Sequence, residues 1–241
     1  MRFVADLHIH SCLSPCGDLS MSPRRIAREA SMKGLSLIAL TDHNSALNCP
    51  AFAEACQKEG IAALFGIEVT TVEEIHVLTL FPSVEQALVL GEQIARNFPR
   101  IAYDPERHGD QVYVNEREEI LGEVDTYLGV GTYFTLDELS RIVQSMEGLF
   151  IPSHVDRPVN SLLSQLGRIP ELPYSALEVT RWPPSISSPH HVFVSNSDAH
   201  IPELIGTRYT SFKGKRPSFP SFRKALQEGR VIPSLRAIDA G

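Results

Sequence analysis

The stretch Met1–Ser11, MRFVADLHIHS, alternates apolar and polar side chains and then runs into His8 and His10. Its period of two predicts a strand over Arg2–Asp6, and the same period turns both imidazoles to one face beyond the strand's end. Downstream, apolar or β-branched runs alternate with helical patterns. A helix is expected over Ser22–Lys33, a strand over Leu35–Leu40, a helix over Pro50–Glu59 and a strand over Ile61–Thr70. Ser22-Pro23 is a start signal for the first helix and Gly34 a stop signal. This order predicts parallel strands joined by crossover helices.

The pattern continues with a strand at Ile75–Phe81 and an amphipathic helix at Ser83–Phe98. Residues 99–134, with the polar run Asn115–Glu119 and the glycines of Leu128–Gly131, read as an irregular excursion that covers something. A helix at Leu136–Met146 and strands at Gly148–Ser153, Ala176–Thr180 and Val192–Ser195 come next. The tail predicts a strand at Tyr209–Phe212, a helix at Phe219–Glu228 and a strand at Val231–Pro233. Neither a linker nor a repeat divides the chain, so residues 1–241 read as a single domain.

Composition narrows the function classes. The chain has 241 residues, 43% hydrophobic and 21% charged, enough for one globular core. Lys+Arg 22 against Asp+Glu 29 gives −7, which argues against an extended basic track for nucleic acid. The first residues lack the uninterrupted apolar stretch of a secretory leader, and the apolar run Leu35–Leu40 is far short of a bilayer span. Cytoplasmic location without membrane contact is the expectation. The four cysteines (Cys12, Cys16, Cys49, Cys56) are too sparse for a disulfide scaffold.

What stands out is where the histidines and acids fall. His8 and His10 follow the first strand, Asp42-His43 the second, Glu68 lies in the third, His76 in the fourth, His154 follows Gly148–Ser153, and Asp198-Ala199-His200 follows Val192–Ser195. In βα proteins the C-terminal ends of strands build the active face. Imidazole plus carboxylate without a thiolate cluster suits two or three divalent ions of the zinc, manganese or iron type, and Glu68 can bridge two of them. Such centres activate water against phosphate esters, so hydrolysis is the expected reaction. Asp6 and Asp42 adjoin ligands and could hold a histidine's second ring N–H. His108, His190 and His191 read as bystanders.

These motifs, Asp6-Leu7-His8-Ile9-His10-Ser11, Thr41-Asp42-His43-Asn44, Gly66-Ile67-Glu68-Val69, His76, Ser153-His154 and Ser197-Asp198-Ala199-His200, resemble the PHP (polymerase and histidinol phosphatase) superfamily of metal-dependent phosphoesterases. The resemblance implies a distorted (β/α)7 TIM-like barrel. It implies one ion on His8, His10, Glu68 and Asp198, a second on Glu68, His76 and His154, and a third on His43, His200 and a residue of the loop after the first strand. Asp18 is the chemical choice for that residue and Cys16 its rival. His43, Glu68 and His200 are the candidate catalytic groups, with His43 or His200 offering a proton to the leaving group. Arg157 and Arg181, near strand ends, are candidates to grip a phosphate. The expected substrate is a small phosphate monoester such as a nucleoside bisphosphate, a sugar phosphate or histidinol phosphate. The alternatives are a nuclease acting on nucleic-acid ends and a metal-holding accessory module, the latter disfavoured by the completeness of the ligand set.

Overall fold

The computed structural model describes residues 1–235. Its centre is a curled seven-stranded sheet of β1 (Arg2–Asp6), β2 (Leu37–Leu40), β3 (Ala62–Thr70), β4 (His76–Phe81), β7 (Leu149–Pro152), β10 (Arg208–Lys213) and β11 (Val231–Leu235). Their spatial order is β11-β10-β1-β2-β3-β4-β7. A hairpin of β5 (Val112–Val114) and β6 (Ile120–Glu123) and a short parallel pair of β8 (Leu177–Glu178) and β9 (Phe193–Val194) stand outside it.

The expected parallel barrel is corrected in two respects. Only β1–β2 and β2–β3 pair in parallel within the sheet; β3–β4, β4–β7, β1–β10 and β10–β11 are antiparallel. The link from β3 to β4 is five residues, too short for a crossover helix, so the chain has to return beside its own strand. The sheet is also not closed. Its edges, β7 and β11, are separated by β8–β9, which joins the β7 side by Ser175 N–H to Phe150 O and Val155 N–H to Glu178 O, and the β10 side by Ser195 N–H to Thr210 Oγ1. These are isolated bonds rather than a ladder, as two-residue strands allow.

The antiparallel return has a functional consequence. Thr70 pairs with His76, so β4 begins where β3 finishes, and a residue at the start of one strand shares the active end with residues at the ends of its neighbours.

Two apolar layers hold the sheet. In β2, Ile38 and Leu40 enter the layer under the helices, while Leu37 and Ala39 enter the layer inside the curl; all four are fully buried, as expected of a central parallel strand. The outer layer receives Ile26, Ala27 and Ala30 of α1 (Pro23–Met32), Phe52 and Ala55 of α2 (Cys49–Glu59), Ala87, Leu90 and Ile94 of α3 (Val84–Arg96), and Leu139 and Val143 of α5 (Leu136–Ser145). Inside the curl, Phe222 and Leu226 of α7 (Phe219–Gln227) pack on Phe212. Each of the larger side chains, the isoleucines, leucines, valine and phenylalanines, contributes about 1.5–3 kcal/mol by leaving water. The Ser22 hydroxyl caps α1 by accepting from Arg25 N–H, and Gly34 reverses the chain with φ of +71°.

The excursion over residues 99–134 is ordered. Besides the hairpin it carries a four-residue helix, α4 (Pro105–His108). Buried amides fasten it: Asn44 donates to Leu128 O and Val130 O, and Asn48 accepts from Val114 N–H while donating to Val112 O. Also outside the sequence reading is α6 (Leu162–Leu166). Among the described residues no helix is long and apolar enough to cross a membrane.

Candidate metal centre

Strand ends deliver the side chains one by one. His8 and His10 extend β1, where Ile9 bridges to Ala199, so both rings point inward with the turn that carries Asp198 and His200. His43 bridges to Glu68, and Asp42 O and Asn44 N bond the Glu68 backbone from either side. His76 opens β4 and His154 follows β7. Asn44, His154 and Asp198 have φ of 52°, 31° and 54°, values that ordinary residues adopt only when their surroundings hold them there.

The result is a chain of neighbouring imidazoles. Ring centroids lie 4.3 Å apart for His10–His200, 4.6 Å for His10–His43, 5.1 Å for His43–His76, 5.3 Å for His76–His154 and 6.0 Å for His8–His154. Glu68 lies among them, 1% exposed. Its Oε1 is 3.2 Å from His8 Nε2, 3.3 Å from His76 Nδ1 and 3.4 Å from His154 Nε2. Its Oε2 is 3.3 Å from His10 Nε2 and 3.4 Å from His43 Nδ1. Asp198 Oδ1 adds contacts of 3.2 and 3.3 Å to His8 and His10.

Hydrogen bonding on the outer sides of the rings tells what the inner sides offer. A carboxylate only accepts, so His8 Nδ1 donates to Glu178, whose oxygens lie 3.0 and 3.1 Å away. The Ser14 hydroxyl donates to Asp42, so it accepts from His10 Nδ1 at 2.9 Å. Both Nε2 atoms therefore present lone pairs, and they face each other at 3.1 Å. Lone pairs of two imidazoles and oxygens of two carboxylates converge with no donor between them. Glu68 Oε1 and His43 Nδ1 are buried without a hydrogen-bond partner. Only a cation satisfies such a set, so these residues fit divalent metal.

The titration behaviour follows from the same geometry. Burial opposes charge on His8 and His10, but the carboxylates prevail, holding His8 well above its ordinary value and His10 near 9. A proton there takes the place a metal would fill. Burial pushes the Glu68 carboxyl up, yet the charges of His8 and His76 outweigh it and hold it well below the usual range. For His43 and His200 burial wins; His43 falls well below its ordinary value and His200 to about 4. Both are neutral at pH 7, the form that ligates rather than the form that donates a proton, which weighs against the expected proton-donor role.

Among the described residues, three groups of ligand atoms lie close enough to share an ion: His8, His10, Glu68 and Asp198; His43, Glu68 and His76; and His10, Cys16, His43 and His200. The last corrects the choice of Asp18. That carboxylate is exposed and accepts from Ser20 N–H in a local turn, while the loop Ser11–Gly17 turns the Cys16 thiol toward the imidazoles. All four cysteines are free thiols, and of them Cys16 alone is exposed.

The two acids expected beside ligands act differently from expectation. Asp6 touches no imidazole; it accepts from Ser197 N–H and Gly206 N–H, tying the turn of Asp198 to the approach to β10. Burial raises it to about 6. Asp42 reaches His10 only through Ser14. The carboxylate that grips a ligand directly is Glu178, which also accepts from Asn196 Nδ2 and His154 N–H. Sequence reasoning missed it; the one signal was a carboxylate inside the apolar run Ala176–Val179.

Arg157 reaches the centre, its Nη2 2.5 Å from Asp198 Oδ2. Arg181 is exposed on the loop after β8. Of the bystanders, His108 stacks at 4.3 Å on Tyr127 within the excursion, His191 bonds Ser188, and His190 is exposed.

Comparison with known proteins adds the following. The PHP domain family matches residues 6–155, and a PHP-associated family matches residues 190–231. An error-prone DNA polymerase of Nocardia farcinica is 42% identical over 66 residues, 27% of this chain and 6% of the polymerase. The lesion-specific endonuclease Q of Pyrococcus furiosus superposes with a TM-score of 0.70 at 22% identity over 95% of this chain and 56% of its own. Endonuclease Q in complex with a 27-mer duplex, an abasic lesion at its active site, gives 0.70 at 21% identity over 95% and 57%. The chain thus spans little more than half of those nucleases and a small part of the polymerase. At such identities the likeness is one of fold.

The expectation of a small phosphorylated substrate with no extended nucleic-acid partner is corrected by the last comparison. Endonuclease Q, of which this chain spans 57%, is seen with a 27-mer duplex substrate whose abasic lesion lies at the active site. A net charge of −7 sums the whole chain and does not describe the surface around one centre.

Proposed function

The chain belongs to the PHP family, whose members are metal-dependent phosphoesterases, and from that premise we propose that it hydrolyses phosphate esters of nucleic acid at the Glu68-centred cluster. The observation that carries this reading is the convergence on buried Glu68: one carboxylate oxygen faces His8, His76 and His154, the other His10 and His43. A carboxylate approached by separate imidazole sets on its two oxygens is built to bridge ions.

His8, His10, Glu68 and Asp198 would hold one ion and Glu68, His76 and His154 a second, with His43 beside the latter; His43, His200 and Cys16 would hold a third. Zinc, manganese and iron all suit these donors. When bound, such ions supply Lewis acidity toward phosphoryl oxygens and a water acidic enough to attack at neutral pH. The protein's own part is to hold and orient. Glu178 and Ser14 fix the tautomers of His8 and His10, and neutral His43 and His200 offer lone pairs. Arg157 supplies a guanidinium for the non-bridging oxygens of the substrate.

The nucleic-acid part of the reading draws on the fold shared with endonuclease Q. End-labelled single-stranded and duplex oligonucleotides, undamaged or carrying an abasic site, are incubated with the metal-loaded protein beside a panel of phosphate monoesters. Strand scission that Glu68→Gln abolishes supports the proposal. Phosphate release from monoesters with every oligonucleotide left intact would overturn it.

A further inference from the structure

The rim of the centre carries a feature that the ligand set does not use. Val155 N–H donates to Glu178 O, and the next residue, Asp156, accepts from Thr180 N–H at 2.9 and 3.1 Å and from Thr180 Oγ1 at 2.9 Å. This clamp binds the loop after β7 to the loop after β8. One residue beyond it on each loop stands an arginine, Arg157 and Arg181. Arg157 pairs with Asp198 and keeps a side-chain exposure of 37%. Arg181 is exposed, and beside it Trp182 leans on Phe193, ring centroids 6.5 Å apart, with 40% of its surface open.

Glu178, which grips His8, is four residues from Trp182, so their Cα atoms are at most about 14 Å apart. That is about four nucleotide steps of a strand at roughly 3.4 Å each. Arg157 paired with Asp198, and Arg181 and the open Trp182 three and four residues beyond Glu178, offer the groups that a nucleic-acid strand alternates: arginines take phosphates as planar donors, and an indole stacks on any base.

We propose that Arg157, Arg181 and Trp182 form a strand-binding rim, in which the guanidinium groups hold phosphates beside the scissile ester and Trp182 stacks on a base of the same strand, with Asp156 positioning both loops. The inference rests on the nucleic-acid reading given above and adds the surface that would recognise the strand.

Trp182 is the single tryptophan of the chain, so its emission reports on this rim alone. The metal-loaded protein is titrated with a short single-stranded DNA carrying a hydrolysis-resistant phosphorothioate backbone, with inorganic phosphate as the control. The rim predicts strong quenching by the DNA and none by phosphate. Affinity followed by anisotropy of labelled DNA falls roughly 5- to 150-fold in Trp182→Ala and recovers in Trp182→Phe. Arg181→Gln lowers the dependence of log affinity on log salt by about 0.7. Metal content and thermal midpoint of both variants match the wild type. Unchanged emission under saturating DNA, in a protein that cleaves ordinary oligonucleotides, overturns the rim and leaves the phosphoesterase reading intact. Neither quenching nor cleavage of any nucleic acid overturns both.

Discussion

Glu178 holds His8 by the ring nitrogen that faces away from the centre, with Nδ1 3.0 Å from one carboxylate oxygen and 3.1 Å from the other. The bond fixes the proton on Nδ1 and leaves Nε2 as a lone pair 3.2 Å from both Glu68 Oε1 and Asp198 Oδ1. A residue that touches no ion can therefore decide how well one binds.

Glu178→Gln keeps the shape of the side chain but removes its charge and turns an amide N–H₂ toward existing donors. Metal affinity is expected to drop by about 10- to 100-fold, the usual effect of losing a carboxylate behind a ligating histidine. Competition with a chromophoric chelator measures it. An unchanged affinity would contradict the orienting role.

Cys16 and Asp18 make opposite predictions. With cobalt(II) in place of the native ions, the wild type should show thiolate-to-cobalt charge-transfer absorption, because the thiol faces His10, His43 and His200. Cys16→Ser should lose that band, while Asp18→Asn should keep it along with the full metal content. Loss of an ion in Asp18→Asn alone would reinstate the carboxylate.

Metal binding should release protons. The neighbouring carboxylates raise His10 to about 9 against the effect of burial, so at pH 7 its ring is charged and a metal must displace that proton. Affinity then rises with pH, by about tenfold per unit for each proton displaced, and levels off near pH 9. His200, lowered to about 4 by burial and the charge of His10, has no proton to give up in this range. Calorimetry in buffers of differing ionisation enthalpy counts the protons; a count of zero at pH 7 would contradict the assignment.

The framework was legible because its strands and helices bury their apolar faces with clear periods: β1 and α1 lie where alternation, Ser22 and Gly34 put them. Strand directions were not legible, since a run such as Ile75–Phe81 looks the same in either direction and only the brevity of the preceding link turns it round. The ends of strands revealed His8, His10, His43 and His154. Glu178 stayed hidden because a lone glutamate in an apolar strand also suits a solvent-facing position. Asp18 was preferred on chemical type, whereas the turn through Ser14 and Gly17 decides which side chain faces inward; Gly17 presses so closely on Ser11 O that a Cβ has no room.

Asn48 links the excursion to the site loop: it accepts from Val114 N–H at 2.8 Å and donates to Ser11 Oγ at 2.9 Å. Asn48→Ala leaves buried partners without bonds and should lower stability by about 1–3 kcal/mol. Amide exchange over Val112–Val114 should quicken by more than that of β1 or β2. Denaturant unfolding and hydrogen exchange test this, and a uniform change across the chain would contradict the local tie.

Metal stoichiometry tests the Glu68-bridged centre most directly. Elemental analysis of the metal-loaded wild type is predicted to give at least two divalent ions per chain. The same analysis of Glu68→Gln, checked for a native-like unfolding transition, should give at most one, the ion of the His43, His200 and Cys16 group, which lacks Glu68. One ion or none in the wild type, or full occupancy in Glu68→Gln, would contradict the bridge.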